Sequence, residues 1–336
     1  MLNPNEYADY NIKRLNQYCD DVLNDRINCG KYEKKTVEYF NRLKEKYIYK
    51  ESELRKVLKF FSLLNIPTVS KGVIQAELPA YQLVWLAAEF ALYQTEKDRL
   101  INFCYYNVAK KNSKSTYEAL TGIYATVFDG QPQAEVVIAA NSLSQAKIII
   151  KYAGDILKCS PLVRDYFEVY KSSLINKSST GFNRMFAITS EGSTTQGMNP
   201  SRSTVDEYAF AKSADILSKL NTGAIARQNK CQVVITTAGD NKQVPCYELH
   251  QLCSNILDGI VEQDNTFCAV YCFDNDNEAD LIDTDFSIVR KPLGLPTQQI
   301  EKFIINHRMS LPKTHASSGK PSTFVCSKTQ MVIRNL

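Results

Sequence analysis

Short apolar segments alternate with amphipathic helical segments through the middle of the chain, and this alternation limits the possible folds more than any other feature. LINFCYYNV, AEVVIAAN and CQVVITTAG are apolar and rich in β-branched or aromatic residues, as buried strands are. Between them, STYEALTGIYATVF and SLSQAKIIIKYAGDIL place apolar residues at helical spacing. Strands that alternate with helices form a mostly parallel sheet with helices on both faces. The sequence therefore predicts an α/β fold.

The segments on either side of this unit differ from it. Residues 1–75 read mainly as amphipathic helices, and residues 76–273 hold the alternating strands and helices. Residues 274–336 begin with the acidic stretch DNDNEADLIDTD, which we interpret as a solvated linker. No apolar run in the sequence reaches the roughly 18 residues that a membrane span needs, so no membrane association is expected.

The stretch VAKKNSKS, between the first of these strands and the next helix, matches part of a phosphate-binding loop. Such loops read G-x-x-x-x-G-K-[ST]. Lys114 and Ser115 occupy the last two places, whereas Val108 and Ser113 occupy the two glycine places. Amides at a helix N-terminus attract phosphates, and a lysine there supplies positive charge to the β- and γ-phosphates. The alternative is a polar turn with a serine cap and solvated lysines. The stretch alone leaves both interpretations open.

Two further motifs follow along the chain. Asp206 and Glu207 are adjacent acids, a pair that in nucleotide hydrolases binds magnesium and polarises the attacking water. Thr236 and Thr237 end an apolar strand, where hydroxyl groups can sense the γ-phosphate. Taken singly, the acids could cap a helix and the threonines could form an ordinary turn. Loop, acid pair and threonine pair in this order favour a hydrolytic nucleotide site.

These motifs resemble the ATPase half of the large terminase subunit of tailed bacteriophages, the motor that drives DNA into procapsids. The resemblance runs from roughly residue 10 to residue 312. Its pieces are LPAYQ, VAKKNSKS, AANSLSQAKIIIKYAGDILKCSPLV, EGSTTQGMNPSRSTVDEYA, LNTGAIARQNKCQVVITTAGDNKQVPCYELHQLCSNILDGI and KPLGLP. The loop of this family also lacks the first glycine. The resemblance implies a P-loop NTPase fold of the ASCE, RecA-like type for residues 76–273, after an N-terminal helical region.

The resemblance also implies roles for individual residues. Lys114 would bind the β- and γ-phosphates of ATP. Ser115 and Asp206 would hold Mg²⁺, and Glu207 would activate the catalytic water. The remaining assignments are adenine contact by Gln82, coupling of nucleotide state to DNA movement by Thr236 and Thr237, and nucleotide binding by the loop residues Lys110, Lys111, Asn112, Ser113 and Thr116.

Many members of this family carry an arginine in the loop, which stabilises the transferring phosphoryl group. Here Lys110 or Lys111 takes that place, without the bidentate fork of a guanidinium, and both are counted with Lys114 and Glu207 as candidate catalytic residues. Arg184, Arg202 and Arg227 are candidates for an arginine finger that acts within the chain or on a neighbouring subunit. The alternative for each arginine is a structural position.

The function implied is a magnesium-dependent ATPase that translocates double-stranded viral DNA in the cytoplasm of an infected bacterial host. The implied partners are double-stranded DNA, the small terminase subunit, the portal of the procapsid and further copies of the chain in a ring. The C-terminal nuclease is expected to be missing or truncated, so DNA cleavage is not predicted. Two alternatives stay open. The first is a nucleotide-binding subunit with weak or no turnover, which is considered because Ser113 replaces a glycine of the loop. The second is a related helicase-like translocase.

The helical region carries a cluster of basic residues that could follow DNA phosphates. Acidic residues are interleaved with them, so the alternative is a solvated helical face. The cluster consists of Lys34, Lys35, Arg42, Lys44 and Lys46.

Overall fold

A computed structural model of the protein describes residues 1–68, 71–110, 112–128, 133–178, 183–190, 197–239 and 241–272. Its α-helices are Pro4–Leu23 (α1), Lys31–Lys46 (α2), Glu51–Phe61 (α3), Ala80–Ala91 (α4), Lys114–Phe128 (α5), Leu143–Lys158 (α6), Asp215–Gly223 (α7) and Pro245–Leu257 (α8). Its strands are Ile48–Tyr49 (β1), Asn65–Thr68 (β2), Gly72–Gln75 (β3), Leu92–Tyr93 (β4), Phe103–Asn107 (β5), Glu135–Ala140 (β6), Phe167–Val169 (β7), Ser173–Asn176 (β8), Arg184–Thr189 (β9), Pro200–Asp206 (β10), Cys231–Thr236 (β11) and Thr266–Val270 (β12).

Eight of the strands form one sheet in the order β12-β5-β11-β10-β6-β9-β8-β7. The six strands from β12 to β9 are parallel, and β8 and β7 extend the sheet with antiparallel pairing. Strands β5, β10, β11 and β12 are almost entirely buried, as parallel strands covered by helices are. The predicted α/β fold with a mostly parallel sheet is confirmed.

The carboxyl ends of three neighbouring strands lie nearly level at one edge of this sheet. Thr236 of β11 is in register with Asn107 of β5. Asp206 of β10 is in register with Ile235, one residue earlier on β11. The phosphate-loop strand and the acid strand are therefore separated by β11, and roughly 10 Å of sheet lies between them. Side chains that follow these three strands must meet at this edge.

Helix α4 is buried on every side and joins the N-terminal helices to the sheet. Its sequence AYQLVWLAAEFA leaves only Ala80 partly exposed. Helix α1 packs on α3 and α4, and α4 also packs on β12. The indole of Trp85 stacks on the ring of Tyr106 of β5, with ring centroids 4.2 Å apart. One continuous apolar core therefore links the N-terminal helices to the sheet.

The basic cluster on α2 is used within the molecule. Lys35 pairs with Asp258 at the end of α8, and Lys46 Nζ lies 2.6 Å from Asp264 Oδ2 in front of β12. Arg42 approaches the same Asp264 at 3.5 Å. The hydroxyl of Tyr39 adds a hydrogen bond of 2.8 Å to the carbonyl of Thr266. Lys35, Arg42 and Lys46 of the cluster therefore fasten α2 to Asp258 and Asp264, whereas Lys34 pairs with Asp25.

After β10 a 3-10 helix spans Tyr208–Phe210, and α7 begins at Asp215. Strands β2 and β3 pair in an antiparallel arrangement, and Gly72, the first residue of β3, has a φ of 67°. Glycine adopts this positive φ readily because it has no Cβ.

The predicted division of the chain stays a prediction. The linker acids, KPLGLP and the rest of residues 274–336 lie outside the described residues. Among the described helices, none is long and apolar enough to cross a membrane.

The attachment of α2 can be tested at Asp264. Asp264→Asn should lower the free energy of unfolding by about 2 kcal/mol, because the nearly buried carboxylate accepts bonds from Lys46 and Tyr47. Glu262→Gln is the matched control, since its side chain is 76% exposed, and should change that free energy by less than about 0.5 kcal/mol. Urea unfolding followed by circular dichroism measures both. Equal effects would contradict this attachment.

Candidate active site

The loop between β5 and α5 is tightly packed, although it has no glycine. Val108 is fully buried, and its amide donates to the carbonyl of Thr236 at 3.2 Å. Asn112 is 2% exposed, and its side chain donates to the carbonyl of Ala109 at 2.9 Å. Lys114, the first residue of α5, is 7% exposed. A solvated polar turn does not fit these values for Lys114, and its role in phosphate binding stays a prediction.

Ser113 adopts the backbone conformation that glycine supplies in such loops. Its φ is 58°, in the left-handed region, where an L-residue with a Cβ is disfavoured by about 1–2 kcal/mol. Its carbonyl accepts the amide of Tyr117 at 3.0 Å, which starts the hydrogen bonding of α5. Ser113 therefore holds a positive φ without being glycine, at the cost of local backbone strain.

Side chains of helix α4 hold the backbone of this loop by hydrogen bonds. The hydroxyl of Tyr81 and the side-chain amide of Gln82 both donate to the carbonyl of Asn112, at 2.7 and 3.0 Å. Gln82 is fully buried, and its Oε1 has no hydrogen-bond partner among the described residues. Gln82 thus contacts the loop backbone, and its contact with adenine stays a prediction.

The acid pair faces Lys114 across the site. Glu207 Oε1 lies 3.8 Å from Lys114 Nζ. Asp206 is 6% exposed, and its Oδ1 accepts the amide of Glu207 at 2.8 Å. Glu207 is left-handed, with φ 52° and ψ 44°. Asn141, after β6, donates to the carbonyl of Glu207 at 3.3 Å. The chain therefore turns sharply at Glu207, and its carboxylate points toward the lysine.

The two threonines are placed differently. Thr237 Oγ1 lies 3.4 Å from Glu207 Oε2, within hydrogen-bonding distance. Thr236 is fully buried, accepts the amide of Ala209 at 3.0 Å and donates to the carbonyl of Thr237 at 2.9 Å. Thr237 thus contacts the carboxylate of Glu207, whereas Thr236 holds the backbone at Ala209, after the acid pair, and the carbonyl of Thr237.

Asp206 is electrostatically unusual. Burial raises the pKa of its carboxyl to about 7; Lys114 opposes the rise and Glu207 adds to it. A buried carboxyl next to a second carboxylate is a favourable place for a cation. Carboxylate and hydroxyl oxygens are the hard ligands that Mg²⁺ prefers, and Ser115 supplies a hydroxyl in the first turn of α5. The residues present fit a magnesium ion.

The remaining loop residues are only partly described. Lys110 is half-buried at the end of the described part of the loop, and Ser115 and Thr116 are half-buried at the start of α5. Lys111 lies outside the described residues. The substitution of lysine for the family's loop arginine therefore stays a prediction.

None of the three finger candidates lies at this edge within the chain. Arg202 is 3% exposed and paired with two buried glutamates, so its position is structural. Arg184 begins β9 and pairs with Glu135 at 2.6 Å, at the opposite edge of the sheet. Arg227 donates to the carbonyls of Asn199 and Gln133, also near strand starts. A finger acting within this chain from these positions is therefore contradicted.

Sequence reasoning missed the polar residues behind the site. Glu89 and Glu118 are buried and accept hydrogen bonds from Arg202, and the buried Thr204 donates to Glu118. The signals were a glutamate in the otherwise apolar helix LPAYQLVWLAAEFAL, and a second glutamate four residues after Lys114. A third signal was the polar segment RST before the acids, because a typical site has an apolar strand at this place.

The geometry agrees with comparisons to known proteins. The family model for the ATPase domain of the terminase large subunit matches residues 81–255, a range that contains the loop, the acids and the threonines. The terminase large subunits of Lactococcus phages p2 and SK1 are each 23% identical to this chain over 241 residues, covering 70% of it and 44% of each relative. The chain thus spans less than half the length of these relatives.

A solved structure supports the same architecture. The large terminase of bacteriophage HK97 matches with a TM-score of 0.60 and 19% identity, over 76% of this chain and 52% of that one. At this identity the match shows the fold alone; together with the family model for an ATPase domain it supports the expected P-loop NTPase fold of the ASCE, RecA-like type.

The strain at Ser113 can be measured with two variants. Ser113→Gly and Ser113→Ala both remove the hydroxyl, but only alanine keeps a Cβ at a positive φ. Ser113→Gly should be about 1 kcal/mol more stable to unfolding than Ser113→Ala. Urea denaturation at pH 7.5 measures the difference. An alanine variant as stable as the glycine variant would mean that residue 113 is not left-handed.

The raised pKa of Asp206 predicts that the folded state becomes less stable as the pH rises. Because the folded pKa of about 7 lies above the unfolded value of about 3.9, ionisation disfavours the folded state. Stability is therefore lost as the pH rises from about 4 to about 7. Asp206→Asn should gain stability over the wild type, by about 2–3 kcal/mol more at pH 8 than at pH 5. Unfolding in EDTA measures this, and a difference independent of pH would contradict it.

Proposed function

The chain belongs to the ATPase-domain family of terminase large subunits, and we propose that it is a magnesium-dependent ATPase motor that moves double-stranded viral DNA into procapsids. The observation that carries this proposal is the convergence of Lys114, Asp206, Glu207 and Thr237 at one edge of the sheet. These residues come from three different strand ends. They supply a phosphate-binding cation, a metal-binding carboxylate, a base and a hydroxyl within one buried site.

Hydrolysis would begin at the pair formed by Lys114 and Glu207. Lys114 Nζ lies 3.8 Å from Glu207 Oε1. A bound triphosphate would attract Lys114 to its β- and γ-oxygens, which frees the carboxylate of Glu207. Glu207 can then orient a water molecule and accept its proton as the water attacks the γ-phosphorus.

Ser115 and Asp206 are the residues that would hold Mg²⁺. The ion, when bound, neutralises charge on the phosphate oxygens. The carboxyl of Asp206 must lose its proton to act as a ligand. Its raised pKa therefore implies weaker metal binding below about pH 7.

Thr237 is the residue we assign to coupling. Its hydroxyl lies 3.4 Å from Glu207 Oε2 and belongs to the segment between β11 and α8. A change of the Glu207 carboxylate after hydrolysis would reach this segment directly. Thr236 supports it, because its hydroxyl binds both the turn after the acids and the carbonyl of Thr237.

The partners follow from the family and are proposals for this chain. They are double-stranded DNA, the small terminase subunit, the portal of the procapsid and other copies of the chain in a ring, in the cytoplasm of an infected bacterial host. Because α2 uses its lysines within the molecule, its basic cluster is not the DNA contact that we propose. An arginine finger, where one acts, would come from a neighbouring copy.

A second candidate function is nucleotide binding with little or no turnover. The strained Ser113 favours it, because a loop held in a costly conformation could be less able to adjust during the reaction. A helicase-like translocase is a third candidate, and strand separation by the isolated chain would favour it. DNA cleavage is not part of the proposal.

Phosphate release with and without double-stranded DNA tests the proposed activity. Lys114→Ala should reduce turnover at least about 100-fold, because the lysine is the only described cation that pairs with the acids of the site. Glu207→Gln should reduce turnover about 10²–10⁴-fold and still bind ATP. The exposed Lys13→Ala on α1 is the matched control and should keep wild-type turnover.

The alternatives separate in the same experiment. Turnover by the wild type no greater than that of Lys114→Ala would rule out an active ATPase. If Mg-ATPγS nevertheless raised the melting temperature of the wild type and not of Lys114→Ala, the binding-only function would stand.

A further inference from the structure

Three charged residues are buried together behind the candidate active site. Glu89, Glu118 and Arg202 are each no more than 3% exposed. Arg202 donates to Glu89 Oε2 at 2.6 Å and to Glu118 Oε2 at 3.1 Å. Thr204 donates to the same Glu118 oxygen at 2.6 Å. We call these four residues the buried network.

The buried network joins the two elements that carry the catalytic side chains. Glu118 is one turn after Lys114 on α5, so the two residues share a helical face. Arg202, Thr204 and Asp206 alternate along β10 and therefore share one face of the sheet. Lys114 thus faces Asp206 and Glu207 at the edge of the sheet, while Glu118 faces Thr204 and Arg202 one layer below. At both levels the charge on α5 is opposite in sign to the charge that it faces on or just after β10.

Helix α4 provides the third attachment. Glu89 Oε1 accepts the hydroxyls of Tyr106 of β5 and Tyr117 of α5, each at 2.6 Å. Two turns earlier on α4, Tyr81 and Gln82 hold the carbonyl of Asn112 in the loop. The same helix therefore fixes the loop backbone and the buried network.

Stability does not explain why these charges are buried. Replacing a buried ion pair by apolar residues of similar volume often stabilises a protein, because two charges must be desolvated. Burial raises the pKa of Glu118, and the guanidinium of Arg202 opposes that rise. What directional bonds provide, and apolar packing does not, is a fixed register between α5 and β10.

We propose that Glu118 and Thr204 are positioning residues, which set the separation of Lys114 from Asp206 and Glu207 through their hydrogen bond. This inference rests on the proposed ATPase function. The loop amides and Lys114 belong to one continuous segment, so a shift of α5 carries the whole phosphate-binding surface with it. Contacts between this segment and the phosphates then change little, although the proposed Mg²⁺ ligands Ser115 and Asp206 lie on the two shifted elements. The transition state also needs groups on β10, and misplacement by about 1 Å can reduce the rate about 100-fold.

Thr204→Val tests the bond with little change of shape. It should lower kcat at least about 10-fold and change the KM for Mg-ATP by a smaller factor. Thr204→Ser restores the hydroxyl and should recover kcat. The control is Thr121→Val, because Thr121 is fully buried in α5 and its hydroxyl bonds only to carbonyls of its own helix. Equal kcat values for Thr204→Val and Thr121→Val would overturn the proposal.

A double-mutant cycle tests whether the two residues act together. Glu118→Leu, which removes the acceptor, and Thr204→Val should each reduce kcat, and the double variant should lose little more than the poorer single variant. Independent, multiplicative losses would show that the residues do not act through their shared bond, and would contradict the proposal.

Hydrogen–deuterium exchange of the nucleotide-free full chain separates this inference from the proposed function. Thr204→Val and Glu118→Leu should both speed exchange in peptides covering residues 112–118 and 204–208, whereas Thr121→Val should not speed it in residues 204–208. If the wild type showed no turnover, the ATPase proposal would fail, yet this exchange pattern would still support the register set by the buried network. Unchanged exchange at both segments would refute that register.

Discussion

Parallel pairing of β5, β11 and β10 is the constraint on which the candidate active site depends. The register fixes Asn107 level with Thr236 and places Asp206 opposite Ile235. Backbone hydrogen bonds across a buried sheet do not slip by one residue without turning every side chain to the wrong face. The loop, the acids and the threonines therefore arrive at one edge, although more than 120 residues of chain separate Lys114 from Thr237. The sheet brings these residues to one edge, and hydrogen bonds between their side chains then orient them.

Much of this could be predicted from sequence, because it depends on local patterns. Alternating apolar strands and amphipathic helices gave the sheet, and the ends of the strands indicated Lys114, the acid pair and Thr237. What could not be predicted depends on distant contacts. The burial of Gln82 beneath Asn112, and the use of Lys46 by Asp264, arise from packing between segments far apart in the chain. Arg202 was a plausible finger only while its partners on α4 and α5 were unknown.

The acid strand is polar and the loop lacks glycine, and both features are unusual for a nucleotide site. In the structure the polar residues of β10 have partners: Arg202 and Thr204 face Glu118, and Arg202 also binds Glu89. A typical acid strand is apolar because it packs on a helix through apolar contacts. Here the ion pair between Arg202 and Glu118 forms part of that contact. The polar residues of the acid strand therefore fasten α5 to the sheet in a different way.

Both left-handed residues of the site, Ser113 and Glu207, need such fastening. A non-glycine residue holds a positive φ only when its surroundings determine the conformation. Tyr81 and Gln82 bind the carbonyl just before Ser113, while Asn141 binds the carbonyl of Glu207 itself. A glycine loop is free to adopt its conformation, whereas this loop is held in it by α4. Since α4 also carries Glu89, the restraint on the loop and the register of the acid strand depend on one helix.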